Sequence, residues 1–197
     1  MADEHRVADP GPLGLAGFAM TTFCLSAANA NLWHMGGEAA ALALALVYGG
    51  IAQFAAGMWE FHRKNTFGAL AFTSFGAFWI SFYVLLKIPA VAAGPDTVGV
   101  FLLGWAIFTL YMTIAAMRTN VAVFLVFVVL TLTFVLLDIG AWGAGNVHFT
   151  KAGGITGLVT AALAWYASAA GVINDTHGKV LLPVWPLNKP APMPMNA

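Results

Sequence analysis

Six apolar stretches dominate the sequence: Leu13 to Leu32, Ala39 to Trp59, Phe67 to Leu86, Val98 to Met117, Val121 to Gly140 and Ala152 to Ile173. Each is close to the roughly 20 residues a helix needs to cross the hydrocarbon core of a bilayer. Charged residues make up only 8% of the chain and apolar ones 60%, whereas a soluble domain carries about 25% charged residues. The expectation is an all-α integral membrane protein with six transmembrane helices around a narrow path. Glycine, proline and charge mark the breaks, at Gly36-Gly37, Arg63-Lys64-Asn65, Pro89 to Pro95, Arg118-Thr119-Asn120 and Trp142 to Lys151. Residues 1–12 read as an N-terminal tail, 13–173 as the membrane domain and 174–197 as a C-terminal tail, flexible from 187 where prolines crowd.

What the sequence lacks excludes several function classes. Eight Lys and Arg balance eight Asp and Glu, which leaves no basic surface for nucleic acid. Cys24, the one cysteine, falls inside the first stretch and reads as a small buried residue; it permits no disulfide within the chain and no cysteine metal cluster. His5, His34, His62, His148 and His177 lie in tails or at helix ends, so no buried pair is placed for haem. No Lys or Arg lies well inside a stretch, which removes a bidentate carboxylate clamp and a Schiff-base lysine, and no nucleophile is set beside a base. No metal, cofactor or enzymatic activity is expected, and membrane lipid is an expected partner.

Charge asymmetry sets the orientation. The face carrying both termini holds Arg6, Arg63, Lys64, Arg118, Lys179 and Lys189, and the other holds Lys87 and Lys151. By the positive-inside rule both termini are cytoplasmic, in a multi-pass protein of the cell (inner) membrane. Ala28-Asn29-Ala30 resembles a signal-cleavage site, but Asp3, Glu4 and Asp9 give the preceding segment the wrong charge for a signal peptide.

Polar residues inside the stretches are costly in lipid and so point to a cavity or to a neighbouring helix. Phe18, Thr22 and Asn29 share a face, as do Gln53 with Glu60 and Thr109 with Thr113. Thr21, Thr22, Gln53, Thr73 and Ser74 are candidates for lining a substrate path. The competing reading is local, since hydroxyls in membrane helices often bond the carbonyl four residues back. Glu60 reads as a surface pair with Lys64 four residues on, or else as a proton or substrate gate. Asp138 falls near the outer interface, where hydration and a proton relay both remain open. Small residues at helical spacing from Gly153 to Gly171 suit close helix packing, either inside one protomer or between copies.

The start of the first stretch carries a motif, Asp9-Pro10-Gly11-Pro12-Leu13-Gly14-Leu15, whose prolines suit the first turn of a helix starting at about Leu13. It resembles the Asn-Pro-Ala-Pro-Leu-Gly-Leu signature of the acetate uptake transporter family, the succinate-acetate permeases of bacteria, archaea and fungi. Asp9 stands for Asn and Gly11 for Ala. The resemblance continues through Tyr48 to Gln53, Ala56-Gly57, Glu60, Asn65 to Gly68, Phe72 to Gly76, Asn174, Gly178 and Leu182-Pro183.

The resemblance implies six-helix protomers assembled as homohexamers, each with its own path, narrowed midway by Phe18, Phe75 and Leu130. Phe75 stands where the family usually has Tyr. It further implies a transporter or channel for acetate and related short carboxylates, succinate included, passive or proton-coupled. The alternatives are a channel for small neutral solutes such as urea, ammonia or acetic acid, and a non-transporting structural or enzymatic membrane subunit.

Overall fold

The computed structural model of the chain describes residues 7–32, 37–87, 95–143 and 145–188. Among the described residues, six helices are long and apolar enough to cross a membrane, which makes this a multi-pass membrane protein. They are α1 (Gly11–Asn29), α2 (Glu38–His62), α3 (Thr66–Lys87), α4 (Pro95–Ala116), α5 (Val121–Ala141) and α6 (Val147–His177). Within α2, Val47–Ala52 form a π-helical turn, a local widening that is uncommon and often sits beside functional positions.

The helix ends have local causes. Pro10 is the N-cap of α1, so the helix begins two residues before Leu13. The Asn120 carboxamide oxygen accepts the Val123 N–H at 2.9 Å and starts α5. Asn146 does the same for α6 by accepting from His148 N–H at 3.1 Å. The sixth helix therefore starts inside the segment read above as a loop, and it continues past Ile173 to Gly178, which closes it in the left-handed conformation at φ +61.

Small residues decide which helices touch. The backbone of α1 runs against α2 and α6, α2 against α3, and α5 against α4 and α6. A Cβ on Gly154 would overlap the backbone at Asn29 and Ala30, and one on Gly157 would overlap Ser26. Gly153 faces Leu137, and Gly171 faces Pro12. The stripe from Gly153 to Gly171 thus binds α6 to α1 and α5 inside one chain, which decides between the two packings left open by sequence. Gly154→Ala should lower the thermal unfolding midpoint in detergent, with overpacking costing about 1–3 kcal/mol. An unchanged midpoint would contradict so close an approach.

Across the centre the backbones of α3 and α5 stay apart, and large side chains fill the gap, chiefly Phe75, Phe78, Phe127, Leu130 and Phe134. Residues 178–188, expected as tail and as flexible only from 187, fold back as a strap held by hydrogen bonds. The Asn174 side chain accepts from Leu181 N–H at 2.8 Å and Leu182 N–H at 2.9 Å, and its amide donates to the Leu182 carbonyl at 2.8 Å. The strap then meets the junction of α4 and α5, where Val121 N–H donates to the Trp185 carbonyl at 3.0 Å and Leu187 N–H to the Thr119 carbonyl at 2.9 Å. The rest of the segment expected to be flexible, 189–197, lies outside the described residues, as do 1–6 with His5 and Arg6.

Candidate functional site

A cavity of about 360 Å³ occupies the end of the bundle that holds the α2–α3 and α4–α5 junctions. A second, of about 150 Å³, lies toward the opposite end, between α1, α3, α4, α5 and α6. Four helices line both, α6 through Ala167, Ala170 and Gly171 in the first and Thr150 in the second, and α1, α3 and α5 through matching sets. On α5, Asn120, Val123 and Phe127 face the first cavity and Phe134, Leu137 and Ala141 the second. On α1 the corresponding residues are Gly11 and Leu15, then Leu25 and Asn29. On α3 they are Gly68 and Ala71, then Phe78 and Phe82. Within each cavity successive members are three or four apart, and the steps from one cavity to the next, 127 to 134, 15 to 25 and 71 to 78, are seven, ten and seven, so each set follows one continuous helix face.

The residues midway along these faces are Leu130 on α5, Phe18 and Thr22 on α1, and Phe75 on α3. Phe18, Phe75 and Leu130 are only 4%, 3% and 4% exposed. Phe75 is central: its ring lies 5.6 Å from Phe18, 6.0 Å from Phe127 on the first cavity's wall and 6.4 Å from Phe134 on the second's. Counting residues from the helix starts suggests that Phe18 sits shallower than the other two. The contact with Phe75 places it at the same level, helped by the earlier start of α1.

The motif from Asp9 to Leu15 builds the floor of the first cavity. Asp9 accepts the Gly11 N–H at 2.9 Å and forms an ion pair with Arg63, a contact that asparagine in its place could not make as a charge pair. Ser168 donates to the Pro12 carbonyl at 2.7 Å, Gly14 gives room to the Phe72 ring, and Leu13 points outward. Glu60 lies on the same wall at 2% exposure, with the Asn65 amide donating to its Oε2 at 2.9 Å. The surface pairing of Glu60 with Lys64 is therefore corrected: the carboxylate turns inward, and among the described residues the ion pair is that of Arg63 with Asp9.

The polar candidates separate into two groups. Thr22 lies on the face between the two cavities. Thr21 bonds the Gly17 carbonyl at 2.9 Å and packs on Gly49, at the α1–α2 contact. Gln53 sits beside Gly17 and Thr73 beside Gly57, in the contacts of α2 with α1 and α3. Neither cavity is lined by Thr21, Gln53, Thr73 or Ser74. Asp138 also lines neither; it accepts the Trp142 indole N–H at 2.8 Å and holds that ring against Gly99.

Phe127, Phe134, Asn65 and Val184 on the strap are cavity residues that sequence reasoning passed over. The signal for the first two was present, because residues 120, 123, 127, 130, 134, 137 and 141 repeat at three and four along α5. Val184 had none, as its place depends on the fold-back fixed by Asn174.

A bundle of this kind, with two cavities in line and an apolar block between them, defines a multi-pass membrane protein of the channel or carrier class. The chain belongs to the GPR1/FUN34/yaaH family, whose model matches residues 1–189. It is 39% identical to acetate permease A of Emericella nidulans, over 92% of this chain and 67% of that protein. It is 38% identical to the succinate-acetate/proton symporter SatP of Escherichia coli K12, over 91% of this chain and 96% of the other. The solved structure of the bacterial acetate channel SatP superposes with a TM-score of 0.85 at 38% identity, covering 91% of this chain and 99% of that one.

Proposed function

We propose that the chain carries acetate and related short carboxylates, succinate among them, across the cell membrane along the line of the two cavities, with both termini cytoplasmic. The observation that carries this reading is the continuous face on each of α1, α3 and α5 that lines one cavity, passes the Phe18, Phe75 and Leu130 block, and lines the other. The names of the similar proteins supply the solute class. A bare carboxylate entering a dry apolar block would cost tens of kcal/mol by a Born estimate, so a proton or water accompanies it. With carboxylic acids titrating near about pH 4, acid conditions favour the protonated route.

In this reading Glu60, on the wall of the first cavity, handles the proton or gates the solute, and Asp138 serves to fix Trp142. Glu60→Gln should slow acetate uptake several-fold in folded protein. Asp138→Asn should leave uptake unchanged and cost about 1 kcal/mol of stability, the worth of one hydrogen bond. A larger uptake defect in Asp138→Asn than in Glu60→Gln would reverse the assignment. Assembly as a homohexamer, as the family resemblance implies, belongs to the same reading; its contacts would use exposed apolar residues such as Ile51 and Met58 on α2 and Ile107 and Ile114 on α4.

The test is uptake of labelled acetate by liposomes containing only this chain, with and without a proton gradient. Saturable acetate uptake supports the proposal. Uptake of urea or ammonia without acetate would make it a neutral-solute channel, and inert liposomes would make it a subunit of something else.

A further inference from the structure

Among the residues that line the first cavity, three carry a formal charge: Asp9, Glu60 and Arg63. Lys64 and Arg118, at the ends of neighbouring helices, are exposed and do not line it. Asp9 is held from two sides, since the Gly11 N–H donates to its Oδ1 at 2.9 Å and Arg63 pairs with the same oxygen. Glu60 receives the Asn65 amide and, among the described residues, no cation. A Cβ at position 11 would stand 3.1 Å from Asp9 Oδ1 and 3.6 Å from Glu60 Oε1, so any side chain there would press on the oxygen that takes up Arg63. Asp9 and Gly11 are the two positions at which the motif differs from the family signature, and the structure joins them in one contact.

Arg63 alone on this wall would concentrate anions. With Asp9 beside it that charge is cancelled, and an ionised Glu60 leaves the wall net negative. Both members of the pair are partly open to water, Arg63 at 35% and Asp9 at 49%, so a solute entering from water meets the sum of their charges. The sum acts unequally on different solutes. A unit charge about 7 Å away in water-like surroundings changes local concentration roughly threefold for a solute of charge one and roughly ninefold for a solute of charge two.

We propose that Asp9 is a specificity-determining residue: by cancelling Arg63 in the first cavity it favours monocarboxylates such as acetate over dicarboxylates such as succinate. The proposal rests on the carriage of carboxylates and adds selection by charge at entry to the selection by size at the block. Asp9 acts through the field and not as a seat for the solute. Exchanging aspartate for asparagine at position 9 changes the wall by one charge whichever proton state Glu60 takes. Gly11 is the positioning partner, because it leaves room for the Asp9 carboxylate to reach Arg63.

The experiment is the ratio of succinate to acetate permeability, from initial uptake of the labelled acids by proteoliposomes at about pH 7.5, where both are ionised. It compares the wild type, Asp9→Asn, Arg63→Gln and the double variant Asp9→Asn/Arg63→Gln. Asp9→Asn should raise the ratio about threefold and Arg63→Gln should lower it about threefold. The double variant loses the ion pair but keeps the wild-type net charge, so its ratio should return to the wild-type value, which a merely structural role for the pair would not produce. Salt near 1 M, where charges are screened beyond about 3 Å, should bring both single variants to the wild-type ratio. If the wild type excludes succinate, the expected result is the appearance of succinate uptake in Asp9→Asn. If one single variant fails to fold, the other and its salt dependence decide. An unchanged ratio in folded Asp9→Asn, or a double variant as far from wild type as either single one, overturns the proposal while leaving acetate transport standing. A wild type that does not move acetate overturns both.

Discussion

Replacing Leu130 with alanine should raise succinate flux relative to acetate flux several-fold, the largest functional change expected from one substitution here. Leu130 is the aliphatic member of the block, midway along the α5 face that lines both cavities. Phe18 and Phe75 are flat rings held by each other and, for Phe75, by Trp105, Phe108, Phe127 and Phe134. Removing the leucine side chain therefore opens space that rigid neighbours cannot refill. Because the residue is buried, the change also costs about 2–5 kcal/mol of stability. Uptake of the two labelled acids by folded variant in liposomes gives the ratio, and an unchanged ratio with the stability loss alone would make Leu130 a packing residue.

The second large effect is expected at Asn174. Its side chain makes three hydrogen bonds to the strap, two of them accepting backbone N–H groups that nothing nearby would replace. Asn174→Ala should destabilise the protein by about 2–4 kcal/mol, at roughly one per bond. It should also release residues 178–188 from the α4–α5 junction and expose Val184, which lines the first cavity. Amide exchange should quicken at Trp185 and Leu187 while the core of α5 stays protected. Asn174→Asp keeps the acceptor and loses the donor, so an intermediate loss is expected. Equal exchange at 185 and 187 in the wild type and Asn174→Ala would show that the strap is held by other contacts.

The six helices were legible because lipid imposes one requirement, a long apolar run, and the sequence meets it six times. Their ends were less so. The start of α6 at Val147 depends on the Asn146 cap, hidden in a segment whose glycines and asparagine also suit a loop. The three block residues came from the family resemblance, since by themselves an aromatic or leucine in a membrane helix is ordinary packing. Polarity alone led to Thr21, Gln53 and Thr73, which sit where helices meet, because short polar side chains fit close helix contacts as well as they fit a cavity. Glu60 looked like half of a surface pair because Lys64 stands four residues on; the helix ends at His62, so the spacing rule no longer applies. Asp9 and Arg63 are 54 residues apart in sequence, and no local pattern joins them.

A side-specific thiol test reaches the central claim, that two cavities belong to one path interrupted at Phe18, Phe75 and Leu130. In a Cys24→Ser background, single cysteines at Val123 and Leu137 stand on the same α5 face, 14 residues and so about 21 Å apart. A membrane-impermeant thiol reagent should modify the cysteine at 123 only from the side carrying Arg63 and Arg118, and the one at 137 only from the other side, with acetate slowing both. Modification of both from one side, or of either from the wrong side, would contradict a block between the cavities.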